Sequence, residues 1–191
     1  MHMLPDPPLP RNIRIHLESW RDRPDYKLQE NALALLFKKC CPGNVRPEHI
    51  LLKVSVLNDF YGTNIYDKYS VTNHIVALQI DSRLNLGDLT LINEIAKVKF
   101  KNGIRNVYSF ATKYCNHHNS DAFPIFDQYV ERMLVYFRIK DNFAKFTKSS
   151  LRNYEEFVKV IRKFQKFYGL SDFSLREIDI YLWLAGKKAF Q

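Results

Sequence analysis

Asp127 stands where a carboxylate could take part in catalysis, at the start of a predicted helix and directly after Phe123-Pro124-Ile125-Phe126. Proline fixes the backbone just before the turn, and a carboxylate at a helix N-terminus faces backbone N–H groups and the positive end of the helix dipole. Such a carboxylate is kept ionised and held in one direction, as an enzyme that stabilises a cationic transition state requires. The same position is also typical of an ordinary N-cap aspartate. The pattern alone allows both interpretations.

Two segments rich in aromatic and polar residues could line a ligand pocket. The first follows a predicted helix and contains Tyr61 and Asn64, which could stack on a nucleobase and hydrogen-bond to it. The second is a predicted helix with Tyr108 near its start and with Lys113 and His117 on one face. We expect Tyr61, Asn64 and Tyr108 to edge the pocket. Lys113, Tyr114 and His117 are further candidates for contact with the pocket or with the backbone of a bound nucleic acid. The alternative for the first segment is a helix end whose rings enter the core.

Other catalytic chemistries lack their motifs. Cys115, His117 and His118 are close in sequence, but no second Cys/His pair completes the four ligands of a structural zinc site. Three cysteines are too few for a four-cysteine iron–sulfur cluster. No phosphate-binding Gly-rich loop and no GxSxG pattern occurs. We therefore expect no metal and no cofactor, which leaves carboxylate chemistry or pure binding.

The chain is strongly basic. Its 191 residues carry a net charge of +9, and the Lys and Arg residues are spread over many segments. This charge indicates a polyanionic partner, most simply nucleic acid, although a soluble enzyme with a lysine-rich surface would have the same composition. The three cysteines form no disulfide framework, no apolar run reaches the roughly 20 residues that span a bilayer, and no signal pattern opens the chain. The expected location is the cytoplasm, with nucleoid association if the source is bacterial.

Helical periodicity runs through most of the chain, and sustained strand alternation is absent. Only six glycines and eight prolines occur, which favours long helices. We expect an all-α protein with a Pro-rich, poorly ordered lead-in over residues 1–11 and one compact helical domain over residues 12–191. The predicted helices are Asn12–Trp20, Tyr26–Cys41, Pro47–Tyr61, Tyr66–Ile80, Leu89–Phe100, Arg105–His117, Ile125–Arg138, Leu151–Tyr168 and Leu175–Gly186, the last with a capping box at Ser174 and Glu177.

Three segments together resemble the helix-hairpin-helix DNA glycosylase superfamily. Ile50–Ile65 looks like an early helix of that family, with an apolar face followed by a polar corner that faces the base. Lys101–Lys113 lies where the family places its DNA-gripping hairpin, although the Leu-Pro-Gly-Val-Gly consensus is reduced here to Asn102-Gly103-Ile104. Phe123–Leu134 resembles the family's Val-Pro-Val-Asp-Thr-His-Val segment, with Phe126 as an extra residue before the aspartate.

The resemblance implies an all-α fold with two lobes around a basic cleft, and excision of a base from duplex DNA. It places Asp127 on the catalytic aspartate, which stabilises positive charge on the sugar after the base has flipped out. The lysine of bifunctional members would fall at Val107–Ser109, where this chain has none, so we expect a monofunctional enzyme that uses water. Asn102, Gly103 and Arg105 are expected to bind DNA phosphates.

Two other functions stay open. A non-enzymatic nucleic-acid-binding domain could reuse the same fold, and a helical interaction protein could direct its basic surface at an acidic protein. For the glycosylase and for the nucleic-acid-binding domain we expect DNA as the partner, no membrane and a monomer. Several damaged or modified bases, including bulky ones from foreign DNA, would suit an aromatic pocket with few acids.

Overall fold

A computed structural model describes residues 4–191 of the chain. This part of the protein is mostly helical, with ten α-helices and one two-stranded antiparallel sheet. The prediction of a helical protein is therefore confirmed, with the addition of a short β-hairpin. The elements are α1 (Pro10–Arg21), α2 (Pro24–Ala34), α3 (Pro47–Tyr61), α4 (Lys68–Leu78), α5 (Asp81–Leu86), α6 (Leu91–Ala96), β1 (Lys97–Phe100), β2 (Gly103–Asn106), α7 (Tyr108–His118), α8 (Gln128–Asp141), α9 (Tyr154–Phe167) and α10 (Leu175–Phe190).

The helices belong to two compact units. Unit 1 is built from the chain up to Lys27 together with Pro124–Gln191. Unit 2 is the continuous segment Leu28–Phe123 between them. Within the described residues, no helix combines the length and the apolar character needed to cross a membrane.

In unit 2, α3 has the bounds that its sequence predicts. Pro47 occupies the first helical turn, where its missing N–H costs nothing, and Gly62 ends the helix in the left-handed conformation with φ 56°. Its buried face includes Ile50, Val54 and Leu57, at the spacing of one helical stripe. The following helix, α4, begins at Lys68, where the Asp67 side chain accepts a hydrogen bond from the backbone N–H of Ser70.

The predicted helix Leu89–Phe100 is too long, because the structure ends α6 at Ala96 and continues as a β-hairpin. Lys97 pairs with Asn106 and Phe100 with Gly103 around a two-residue turn. Val98 is buried whereas the lysines on either side of it are exposed. This alternation is the period of a strand, but it lasts for only four residues and so left no sustained signal in the sequence.

Several other parts of the helix prediction differ from the structure, including the following three. The segment after α2 continues over Leu35–Cys40 as a π-helix, and the helical structure ends before Pro42. The short helix α5 was missed, because six residues offer less than two turns of periodicity. The predicted helix Arg105–His117 begins only at Tyr108, because Gly103–Asn106 form β2.

In unit 1, α10 packs against both α1 and α8. Its capping box at Ser174 and Glu177 is present as predicted. Gly186 allows the close approach to α8, because a Cβ at this position would lie 2.9 Å from the backbone oxygen of Tyr129. Aromatic rings fill the remaining core, including Phe137 and Phe164, whose centroids are 5.8 Å apart.

The described part of the Pro-rich lead-in, which the sequence predicts to be poorly ordered, makes specific contacts within unit 1. The Asp6 carboxylate lies 3.0 Å from Nε2 of His16 and 3.2 Å from Nζ of Lys188. Its backbone oxygen accepts a hydrogen bond from the hydroxyl of Tyr181 at 2.6 Å. The predicted lead-in also ends early, because Pro10 already opens α1. Residues 1–3 lie outside the described part of the chain.

Candidate functional site

Asp127 is the N-cap of α8, a helix of 14 residues in unit 1. Its Oδ1 accepts a hydrogen bond from the backbone N–H of Tyr129 at 2.8 Å, and the residue is half-buried. A carboxylate in this position interacts favourably with the positive end of the helix dipole. The N-cap interpretation from the sequence is therefore confirmed. It does not compete with a catalytic role, because the cap also fixes the direction of the carboxylate.

Phe126, the residue directly before Asp127, is a core residue of unit 1. Its side chain is 2% exposed and meets the ring of Phe157 edge-on, with the centroids 5.4 Å apart. Asp127 has an extended backbone (φ −140°, ψ 158°). Burial of Phe126 fixes the chain directly before Asp127 in the core of unit 1.

Two further hydrogen-bonding interactions hold this segment. The hydroxyl of Tyr154 donates to the backbone oxygen of Pro124 at 2.7 Å, and both groups are buried. One turn into α8, the nearly buried carboxylate of Glu131 lies 3.2 Å from Nη2 of Arg152. The backbone on both sides of Asp127 is thus tied to unit 1.

Three of the predicted pocket residues form a cluster in unit 2. The hydroxyl of Tyr61 lies 3.0 Å from Nε2 of His117. Nζ of Lys113 lies 5.4 Å from the centroid of the Tyr61 ring, and it donates to Oγ of Ser109 at 2.6 Å. Lys113 is only 4% exposed. The predicted pairing of Lys113 and His117 on one face of α7 thus extends to Tyr61 at the end of α3.

The other two predicted pocket residues take different positions in unit 2. Tyr108 is 4% exposed at the start of α7, so its ring is part of the core rather than an open pocket edge. Asn64 is exposed in the turn after α3 and has a left-handed backbone, with φ 57°. Asparagine adopts this conformation more readily than most residues, which gives it a local structural role.

The predicted DNA-binding residues lie on or beside the β-hairpin of unit 2, not on a turn between two helices. Asn102 is in its two-residue turn, Gly103 begins β2 with φ 114°, and Arg105 lies within β2. The guanidinium of Arg105 lies 5.5 Å from the centroid of the Phe100 ring. All three residues are exposed, and so they are accessible to a partner in solution.

A buried polar network of unit 2 was missed by sequence reasoning. Nζ of Lys53 lies 2.9 Å from the backbone oxygen of Gly43, 2.6 Å from Oδ1 of Asn44 and 3.3 Å from Nε2 of His118. Asn44 also accepts a hydrogen bond from the hydroxyl of Tyr114 and donates its side-chain amide to Asp81. Lys53 is 0% exposed, so its three hydrogen-bond donors are matched by three partners inside the protein.

Burial governs the proton affinities in this network. It lowers the pKa of Lys53 to about 8, although the charges of Asp81 and Cys41 act in the opposite direction. Burial and the neighbouring cations Lys53 and Lys38 lower the pKa of His118 to about 2. His118 is therefore neutral at physiological pH and accepts a hydrogen bond from Lys53 through Nε2. The sequence did contain a signal, because Lys53 interrupts the apolar stripe of α3.

The residues that raised the question of zinc were compared with the grouping and ionisation that a metal site requires. No three His, Cys, Asp or Glu side chains of residues 4–191 group as metal ligands would. Cys115, one of the three neighbours in sequence that prompted the question of zinc, is 0% exposed. Burial raises the pKa of its thiol far above the ordinary value, which disfavours the thiolate that a metal requires.

The chain belongs to the family described as HI_0787_N, N-terminal domain, whose sequence model matches residues 12–122. It is also similar to an uncharacterized protein of Haemophilus influenzae, with 42% identity over 144 residues, which cover 75% of this chain and 69% of the relative. No solved structure gives a significant match.

The end of the matched range, though not its start in α1 of unit 1, coincides with a boundary of the fold. The range ends at Ala122, one residue before the last residue of unit 2, Phe123. The match therefore includes the cluster of Tyr61, Lys113 and His117 and the whole β-hairpin, whereas Asp127 lies beyond it. The boundary at residue 123 is thus found both in the contacts of the fold and in the extent of the family domain.

Proposed function

We propose that this protein is a monofunctional DNA glycosylase-like enzyme that flips a damaged or modified base out of duplex DNA and excises it, with Asp127 as the catalytic carboxylate. The observation that carries the proposal is the way Asp127 is held. Its carboxylate accepts a hydrogen bond from the backbone N–H of Tyr129, and the ring of the preceding residue, Phe126, is buried.

This arrangement suits a reaction in which positive charge develops on a sugar. Cleavage of a glycosidic bond passes through an oxocarbenium-like state, and a fixed carboxylate stabilises that state without having to reorganise. The same carboxylate can orient the attacking water. No covalent intermediate with an amine is needed, because Val107–Ser109 contain no lysine at the position where the resemblance would require one.

Considered by itself, unit 2 carries groups of the kind that contact nucleic-acid bases. The rings of Tyr61 and His117 provide a surface for stacking, and their polar atoms can hydrogen-bond to a base edge. The net charge of +9 supports binding to the phosphate backbone.

The test is incubation with a panel of duplexes that each carry one modified base, followed by alkaline cleavage of abasic sites. Strand breaks only after alkali are expected for the wild-type protein. Asp127→Asn removes the charge but keeps a good N-cap, so base release should fall at least about hundredfold while DNA affinity is retained. Asp67→Asn, at the N-cap of α4, is the matched control and should keep full activity. No release from any duplex, or equal release by both variants, would contradict the proposal.

The second candidate is a non-enzymatic nucleic-acid-binding domain. It is favoured by the charge and by the exposed basic hairpin, neither of which requires chemistry. In that case the wild-type protein and the Asp127→Asn variant would bind duplex DNA equally well, and neither would release a base.

A further inference from the structure

The β-hairpin Lys97–Asn106 concentrates positive charge on a small exposed element. Four of its ten residues are Lys or Arg, and none is acidic. The acidic residue nearest to the hairpin along the sequence, Glu94, lies 2.6 Å from a guanidinium nitrogen of Arg83. The charge of the hairpin is therefore not neutralised within its own segment.

The pairing register separates the two faces of the hairpin. Lys97 is opposite Asn106, and Lys99 is opposite Ile104. Directly paired residues lie on the same face of an antiparallel sheet, so these four side chains share one face, and all four are exposed. The other face carries Val98, which is 0% exposed and fixes the hairpin to unit 2.

Ile104 gives the outer face an unusual character. It is 74% exposed, in the middle of a lysine-rich surface. Lysines on an exposed edge strand have an ordinary role, since they prevent pairing with the strands of other molecules. That role does not explain a β-branched apolar side chain beside them, because such a residue would promote the same pairing.

We infer that the hairpin Lys97–Asn106 is a duplex-DNA contact, in which Lys97 and Lys99 bind phosphates while Ile104 packs against the sugar edges of a groove. A two-stranded β-ribbon fits the major groove, and apolar side chains are used as groove contacts by many DNA-binding proteins. The inference rests on the proposed function for its choice of DNA as the partner. It goes further by assigning the contact to a lysine-flanked isoleucine on a β-ribbon.

Two variants separate the charged contact from the apolar one in duplex-binding titrations at several salt concentrations. The double variant Lys97→Gln, Lys99→Gln should bind more weakly, and the slope of log affinity against log salt should become shallower by about two, close to 0.9 per lost phosphate contact. Ile104→Ser should bind about tenfold more weakly with an unchanged slope, because it loses apolar contact only.

Matched controls come from unit 1. Ile139 has the same 74% exposure on α8, and Lys163 is an exposed lysine of α9. Ile139→Ser and Lys163→Gln should bind as the wild-type protein does. All variants should keep the wild-type melting temperature, since every altered side chain is at the surface.

The outcomes distinguish this inference from the proposed function. If the hairpin variants bind as tightly as the wild-type protein with the same salt slope, the hairpin is not the contact, whether or not base release occurs. If they bind more weakly but no modified base is ever released, the hairpin contact stands and the enzymatic proposal is wrong. If the wild-type protein does not bind duplex DNA at all, both are overturned.

Discussion

The guanidinium of Arg152 lies 4.7 Å from the centroid of the Phe126 ring, while the same side chain pairs with Glu131 of α8. One cation thus covers the ring that precedes Asp127 and reaches the carboxylate one turn later. Phe126 is therefore held both by the core and by a charged side chain. It is the anchor that positions the start of α8.

The first prediction concerns this anchor. Phe126→Ala removes a fully enclosed ring and should lower the free energy of unfolding by about 3–5 kcal/mol. Urea denaturation measures the loss. Ile139→Ala, at an exposed position of the same unit, should change stability by no more than about 0.5 kcal/mol. A small effect at Phe126 would mean that its surroundings close around the missing ring.

The second prediction separates the cap from the charge at Asp127. Asn and Asp are about equally good N-caps, whereas Ala is poor. Asp127→Asn should therefore leave the unfolding free energy nearly unchanged, and Asp127→Ala should lower it by about 1 kcal/mol. Thermal melts of the two variants provide the comparison. Equal destabilisation by both would show that the charge, not the hydrogen bond from Tyr129, holds the start of α8.

The third prediction is a rise of stability at alkaline pH caused by Lys53. Its pKa is about 8 in the folded protein and has the ordinary value of 10.5 in the unfolded chain. Between these values the unfolded chain binds the extra proton, so the free energy of unfolding increases with pH, by at most about 1.4 kcal/mol per pH unit. Denaturation at several pH values isolates this contribution as a difference, because the opposing alkaline titration of buried groups such as Cys115 is common to all variants. Between about pH 8 and 10.5 the wild-type protein and Lys163→Met should both gain stability relative to Lys53→Met.

The fourth prediction concerns acid. The pKa of His118 is about 2 in the folded protein, against an ordinary 6.5. Below pH 6.5 the unfolded chain takes up a proton that the folded protein does not, so stability falls as the pH decreases. His118→Gln should lose part of this acid sensitivity, whereas His49→Gln, a change outside the network, should retain it. Identical pH profiles for the wild-type protein and His118→Gln would contradict the assignment.

The fifth prediction tests the contact between α8 and α10. Alanine is favoured over glycine within a helix by up to about 1 kcal/mol. At Gly186, however, a Cβ would lie 2.9 Å from the backbone oxygen of Tyr129, which cannot rotate away. Gly186→Ala should therefore destabilise the protein by about 1–3 kcal/mol. An increase in melting temperature would show that the two helices separate at little cost.

Local signals made some features predictable from sequence. The bounds of α3, the cap at Asp127 and the capping box at Ser174 all depend on residues within one or two turns of each other. The β-hairpin was missed because four residues cannot establish a period. The network around Lys53 joins Asn44, Asp81 and His118, and such distant residues come together only through tertiary packing.

The candidate site residues show the same difference between local signals, which the sequence reveals, and distant contacts, which it does not. The shared face of Lys113 and His117 on α7 follows from helical spacing, and the structure adds Tyr61 from a helix far away in sequence. Tyr108 was expected at a pocket edge but is buried. Sequence pattern does not distinguish a ring that enters the core from one that faces a ligand, because both occur at helix ends.

The order of the two units along the chain has a consequence for synthesis. All residues of unit 2 have left the ribosome once Phe123 emerges, so this unit can fold while the remainder is still being made. The helix α1 packs against α10, and the ring of Phe126 contacts that of Phe157. Neither contact can form until the later element has been synthesised. The segment that carries Asp127 is therefore translated before Tyr154 and Phe157, whose side chains support it, so the carboxylate is fixed in place only after these residues have been made.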